Sequence, residues 1–241
     1  MRRSPPILLA LAACLASVAA TAQMGGPMSG RPTGGGAPPG EGIESTPAVE
    51  KPDVAARKAY NAGLKSVNKA RDYEATAQKA STPEKKAAAL EKENDALNRA
   101  LDQFTEALTH KSDLEEAWNY ACYVHLQLRA FGEAVDDCNH DLDLKPDSAS
   151  AILYRAQAFL ALDRLSEAKA AYMDLFNHER NLADQLMAAM QQWIAGHRQD
   201  PAGVRPADVD GFDHWVRERD GIAKQTASIT DAAAPHGASS P

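Results

Sequence analysis

Aromatic residues make up only 6% of the 241-residue chain, cysteines number three, and runs of Val, Ile and Thr are absent. Without β-branched and aromatic runs there is little to build a sheet from, and the abundant alanine favours helix. A basic stripe is also missing. The formal charge is −7, and loss of Arg2 and Arg3 with an N-terminal segment would leave 24 basic residues against 33 acidic ones, or −9. Such a chain is a poor ligand for nucleic acid or an anionic membrane. Motifs of chemistry are lacking as well. The glycine-rich stretch from Gly25 to Gly40 precedes no strand and has no Lys-Ser/Thr after it, so it is not a phosphate loop. There is no nucleophile motif and no zinc-protease helix, so no catalytic residue and no cofactor is expected, and the chain reads as a non-enzyme.

Residues 1–22 have the pattern of a secretory signal. Arg2 and Arg3 are its charged start, Ile7 to Ala20 is apolar or small, and Ala20-Thr21-Ala22 fits a cleavage site after Ala22. The apolar run is short and alanine-rich for a membrane span. A periplasmic or secreted mature chain without a transmembrane helix is therefore expected. Leu11-Ala12-Ala13-Cys14 resembles the lipobox of bacterial lipoproteins and offers lipidation at Cys14 as an alternative. Residues 23–52 are dominated by Gly, Pro and Ser, show no apolar period, and read as a disordered linker; 226–241 reads as a disordered tail.

Between these stretches the pattern is helical. Asp53 is the expected cap of a first long helix, and Thr82 with Pro83 opens a second that runs to about Lys111. Shorter helices follow at about 114–129, 131–144, 148–162 and 165–178, with Gly132 and Asp163 marking tight turns and Pro146 separating the pairs. Leu182, Leu186, Met190 and Trp193 form a further stripe, and a last helix extends from about Pro206 to Lys224.

A period runs through this region. Ala100, Ala134 and Ala168 stand 34 residues apart, each followed four residues later by Phe104, Cys138 or Tyr172. A fixed period of this length marks stacked helical hairpins, none of which can bury its apolar face alone. The second unit reads Trp118-x2-Ala121-Cys122-x2-His125, then Ala134-x3-Cys138, then Pro146. The third reads Ile152-x2-Arg155-Ala156-x2-Phe159, then Ala168-x3-Tyr172. The pattern resembles the tetratricopeptide repeat (TPR), whose signature is W-x2-L-G-x2-Y, A-x3-F, P. The resemblance implies an all-α solenoid of three TPR-like units, at 53–112, 115–148 and 149–180, with capping helices over 181–225. It also implies binding of a protein or peptide.

Small residues face each other where paired helices approach. Cys122 with Ala134, and Ala156 with Ala168, are 12 residues apart, whereas Gly63 and Ala100 in the first unit are 37 apart, an excess of 25. The excess centres on Ser81-Thr82, so it lengthens both helices of that hairpin by about 12 residues, or about 19 Å each. Tyr73 is then expected near Leu90 and Val67 near Ala96. The alternative is an ordinary hairpin turning at Lys69–Asp72, followed by a loop and a third helix.

In the family, first helices line a concave groove. The residues on that face are Arg57, Tyr60, Leu64, Asn119, Tyr123, Leu126, Leu153, Gln157 and Leu160, which form the expected partner-binding surface. Cys122, His125, Cys138 and His140 do not converge as a metal set, because Cys138 and His140 point to opposite sides of one helix. Cys138 lies one turn beyond the residue expected opposite Cys122. That offset favours two buried free thiols, with a disulfide as the alternative. Asp136, Asp137 and Asp141 read as a solvated helix face. The functional expectation is an exported scaffold for protein–protein interaction in a bacterial envelope; the alternative is a structural subunit of an envelope assembly.

Overall fold

The computed structural model describes residues 51–201 and 203–233. The expected signal, the lipobox cysteine, the linker up to residue 50 and the tail beyond 233 lie outside them. Every regular element among the described residues is a helix: α1 (Pro52–Gln78), α2 (Pro83–His110), α3 (Glu115–Gln127), α4 (Phe131–Leu144), α5 (Ala149–Ala161), α6 (Leu165–His178), α7 (Arg180–Gln199) and α8 (Pro206–Ala233). Each helix packs on the next, while α3 also contacts α5 and α5 contacts α7. The chain is thus an all-α stack of consecutive helical hairpins.

The first hairpin is the elongated one. Its helices have 27 and 28 residues, against 13 and 14 in each of the next two hairpins. At roughly 1.5 Å per residue, α1 and α2 are about twice as long as their successors. No break occurs at 70–72. Thr82 caps α2 by accepting a hydrogen bond from the Lys85 amide at 3.3 Å, with Pro83 at the first helical position. The start of α1 differs from expectation. Lys51, not Asp53, is the cap residue, because Pro52 has no N–H to satisfy and a φ already suited to the first turn. Asp53 instead meets Lys111 Nζ at 3.1 Å and ties the start of α1 to the end of α2. Val67 and Ala96 are buried in one cluster. Tyr73 has Lys92 over its ring at 6.0 Å, while Leu90 is 41% exposed.

The period reappears as packing. Ala100, Ala134 and Ala168 are all fully buried, as are Phe104, Cys138 and Tyr172 four residues on. In the first unit Gly63 lies against the Phe104 ring. A Cβ on Gly63 would lie 2.4 Å from the Phe104 ring, so glycine there makes room for the ring. In the second unit the position equivalent to Phe104 is Cys138, and it forms a disulfide with Cys122 across a Cα separation of 5.2 Å. Free thiols were the favoured expectation, and the geometry corrects it. The α3–α4 turn is centred on Arg129, so the residue level with Cys122 is Asp136, only two residues from Cys138. Side chains lean toward the N-terminus of their own helix. In an antiparallel pair that lean brings Cys122 and Cys138 toward each other.

Both short hairpins turn on a left-handed residue at the same place in the period, Arg129 at φ 64° and Asp163 at φ 57°. Gly132, expected at the first of these turns, instead lies inside α4. Asp163 also docks the C-terminal helices: its Oδ1 accepts from Trp193 Nε1 at 3.1 Å and lies 3.3 Å from His197 Nε2. Trp193 and Phe212 are almost fully buried, and their rings meet edge to face at 5.3 Å. Trp215 packs edge to face on Tyr172 at 5.6 Å. These aromatics cover the end of the third hairpin, where a stack of repeats would otherwise expose its core. Helix α8 continues to Ala233, beyond Lys224 and into the stretch expected to be a disordered tail.

Candidate functional site: a cleft between the long hairpin and α7

The extra length of α1 and α2 bounds a cleft of about 510 Å³. The last turns of α1 contribute Glu74, Ala77 and Gln78, and the first turns of α2 contribute Lys86, Leu90 and Glu93. Positions 86, 90 and 93 fall on one helix face, as do 74, 77 and 78. The floor is made by the C-terminal parts of α3 and α5, through Leu126, Gln157, Leu160 and Ala161, with Phe131 from α4. Ala189 and Trp193 of α7 form the far wall. The volume suits a few side chains of a ligand.

Three of the nine groove residues expected from the sequence, Leu126, Gln157 and Leu160, line this cleft. Of the other six, Tyr60 and Asn119 line a separate recess at the start of α3 and α5, and the rest lie apart from the cleft. Tyr123 and Leu153 are as buried as Leu126 and Leu160 but lie outside the cleft lining. Arg71 of α1 lies over the Tyr123 ring at 5.5 Å, and Tyr123 packs against Tyr154 at 5.4 Å. Tyr60 is buried against Phe104 and Tyr120, and Leu64 is partly buried beside that cluster. Arg57 pairs with Glu116 at 3.6 Å near the start of α1. The face that would be one concave groove is therefore divided, because α1 lies over part of it. Glu74, Leu90, Glu93 and Trp193 were not anticipated as site residues. The available signal was the insertion itself, since an extended hairpin creates a wall that the regular period does not contain.

Burial sets the electrostatics here. Burial, and second to it the neighbouring Glu74 carboxylate, hold the Glu93 carboxyl above the ordinary carboxylate range. Burial, followed by the neighbouring Tyr123 and Tyr120, pushes Tyr154 up to about 12.

A second polar cluster lies in the interior. Asp141, expected on a solvated face, is fully buried. Its Oδ2 accepts from Asn119 Nδ2 at 2.5 Å and from Ser148 Oγ at 3.0 Å. Asn119, expected in the groove, also bonds Ser150 Oγ at 2.9 Å. Position 141 of α4 points at the junction with α5, where Ser148 donates to it. Asp137 likewise does not simply face solvent: it lies 2.6 Å from His125 Nδ1. Burial holds the Asp141 carboxyl above its ordinary value, outweighing the donors that act in the other direction. An acid raised in the folded state contributes most to stability below its unfolded pKa of about 3.9, and that contribution is lost as pH rises through the folded value. Asp141→Asn keeps an acceptor for Asn119 and Ser148 but never ionises. It is expected to be more stable than the parent by ~1 kcal/mol near neutral pH. The difference should shrink as pH falls toward the acid range, as read by urea denaturation at several pH values.

The remaining candidate ligands are engaged elsewhere. Cys122 and Cys138 are bonded to each other, and the exposed His140 stacks on Trp118 with centroids 4.4 Å apart. No group of three or more His, Cys, Asp or Glu among the described residues is arranged to hold a metal ion. No described helix is long and apolar enough to cross a membrane. The fold and cleft together define a capped stack of helical hairpins with an apolar recess edged by charges of both signs, Glu74 and Glu93 with Lys86 and Arg129. No protein-family model matches the sequence, and no curated protein matches it.

Proposed function

We propose that this chain is an exported, non-catalytic TPR-like scaffold that holds another protein in the bacterial envelope by receiving a segment of it in the cleft. The observation that carries this reading is the cleft built by the 25-residue excess, which leaves Leu90 41% exposed on an otherwise covered apolar surface. Exposed apolar surface rimmed by polar groups suits a protein partner. The buried Cys122–Cys138 bridge supports an oxidising compartment, in line with the signal-like N-terminus. The small-residue register inside each hairpin, with Gly63 under Phe104 and Cys122 on Cys138, supports the repeat family.

The test is site-specific photo-cross-linking in intact cells. A benzoyl-phenylalanine at position 90 should yield a discrete cross-linked protein, while the same group at position 54, exposed at the other end of α1, should not. Equal labelling from both positions, or none from position 90, would count against the scaffold.

A further inference from the structure

A second recess, of about 410 Å³, opens at the ends of α3 and α5 away from the cleft. Asn119, Ser148 and Ser150 form a polar wall, and Tyr120 and Leu182 give it apolar surface. Four carboxylates line it, Glu115, Glu116, Asp147 and Glu179, against a single cation, Lys145. Lys145 is taken by Glu115 at 3.3 Å, and Glu116 is matched from outside the lining by Arg57 at 3.6 Å. Asp147 and Glu179 form no ion pair among the described residues. Negative charge is therefore left uncompensated at the rim.

The interior behind the polar wall is short of donors. Asp141 is fully buried and receives both Asn119 Nδ2 and Ser148 Oγ on Oδ2 alone. Its Oδ1 is buried and has no hydrogen-bond partner. Asn119 Nδ2 has two hydrogens yet faces three acceptors: Asp141 Oδ2, Ser150 Oγ at 2.9 Å and Ser148 Oγ at 3.4 Å. A buried carboxylate oxygen without a donor is costly. Both partners of Asp141 belong to the wall, so the unpartnered oxygen lies next to the recess. Missing donors and surplus acid ask for the same guest, a cation that donates hydrogen bonds. No group of three or more His, Cys, Asp or Glu among the described residues is arranged to hold a metal ion. A primary ammonium meets both needs, with a full charge and three N–H donors.

We infer that this recess binds a linear aliphatic diamine. One ammonium lodges at the Asn119–Ser150 wall and supplies the donor that Asp141 lacks. The methylene chain crosses Tyr120 and Leu182, and the second ammonium meets Asp147 and Glu179 at the rim. Two separate sets of uncompensated carboxylate, one inside and one at the rim, require two cations joined by hydrocarbon. The volume suits a small molecule. The site is separate from the cleft and does not depend on the scaffold reading.

The test is isothermal titration calorimetry of the purified full chain with cadaverine, pentylamine and pentanediol. Physiological salt screens loose attraction to the acidic surface. Cadaverine should bind at one site per chain, pentylamine about tenfold more weakly, and pentanediol not at all. Asp141→Asn removes the inner charge and brings its own N–H donors. It and Glu179→Gln should each weaken cadaverine by about fivefold or more, with folding verified by circular dichroism. Asp102→Asn with Glu106→Gln, exposed on α2 outside the recess, should leave binding unchanged. Binding that is the same in Asp141→Asn and Glu179→Gln as in the parent overturns the proposal and leaves only counterion attraction. No binding of cadaverine also overturns it, as does equal affinity for pentanediol. Tighter binding of N-acetyl-lysine amide than of cadaverine overturns it in favour of a lysine on a protein partner. Cross-linking from position 90 reads the cleft alone, so the scaffold is tested separately.

Discussion

Phe104→Ala is expected to destabilise the protein by about 3–5 kcal/mol, the range for removing a fully buried aromatic ring. The ring is fully buried, lies 5.5 Å from Tyr120 and 5.9 Å from Tyr60, and fills the space over Gly63. It joins α1, α2 and α3, so its loss should loosen the long hairpin from the rest of the stack. Gly63 is coupled to this ring. Alanine is worth about 1 kcal/mol more than glycine inside a helix. A Cβ at position 63, however, would stand 2.4 Å from a ring atom that has no room to retreat. Gly63→Ala is therefore expected to destabilise the parent by about 1–3 kcal/mol, as overpacking does. In the Phe104→Ala background the same change should become neutral or stabilising. Chemical denaturation of the two single variants and the double variant measures this coupling directly. Additive effects would show that Gly63 is not there for the ring.

Removing the Cys122–Cys138 bridge, by Cys122→Ala with Cys138→Ala, is expected to lower stability by about 3 kcal/mol, as for a closed loop of roughly 15 residues. The two cysteines are 16 residues apart and both are fully buried. A reductant should therefore reach the bond slowly in the folded protein and quickly once the chain unfolds. Denaturation of the parent with and without reductant should reproduce the difference seen with the alanine variant, since both lose the same cross-link. A double variant as stable as the oxidised parent would show that the bridge adds nothing to this hairpin. The effect should be local to α3, α4 and the α5 junction, and smaller in the long hairpin, because contacts in such a stack are mostly between neighbours.

Helix positions were readable because period and punctuation agreed. The expected spans 131–144 and 165–178 are those of α4 and α6, and the length of the first hairpin followed from one misfit in spacing. Within the site, Leu126, Gln157 and Leu160 were readable because they lie on first helices one step from the core stripe. Tyr123 and Leu153 lie on the same face but outside the cleft; Arg71 of α1 lies over the Tyr123 ring, and local pattern cannot report what a distant segment covers.

Local pattern alone established that the chain is helical, where its short helices lie, and that the first hairpin is about twice the length of the others. These follow from short-range rules: apolar spacing, proline and cap positions, and a 34-residue period. Three further features come from the packing of one hairpin on another. That packing placed α1 over Tyr123 and so divided the groove. It brought Cys138 to Cys122, because paired helices present side chains that lean toward each other. It put the tip of the long hairpin opposite Trp193, enclosing a cleft edged by charges of both signs. Each depends on how one hairpin sits against another. That relation is set by the shapes of buried side chains far apart in the chain, which no local period encodes.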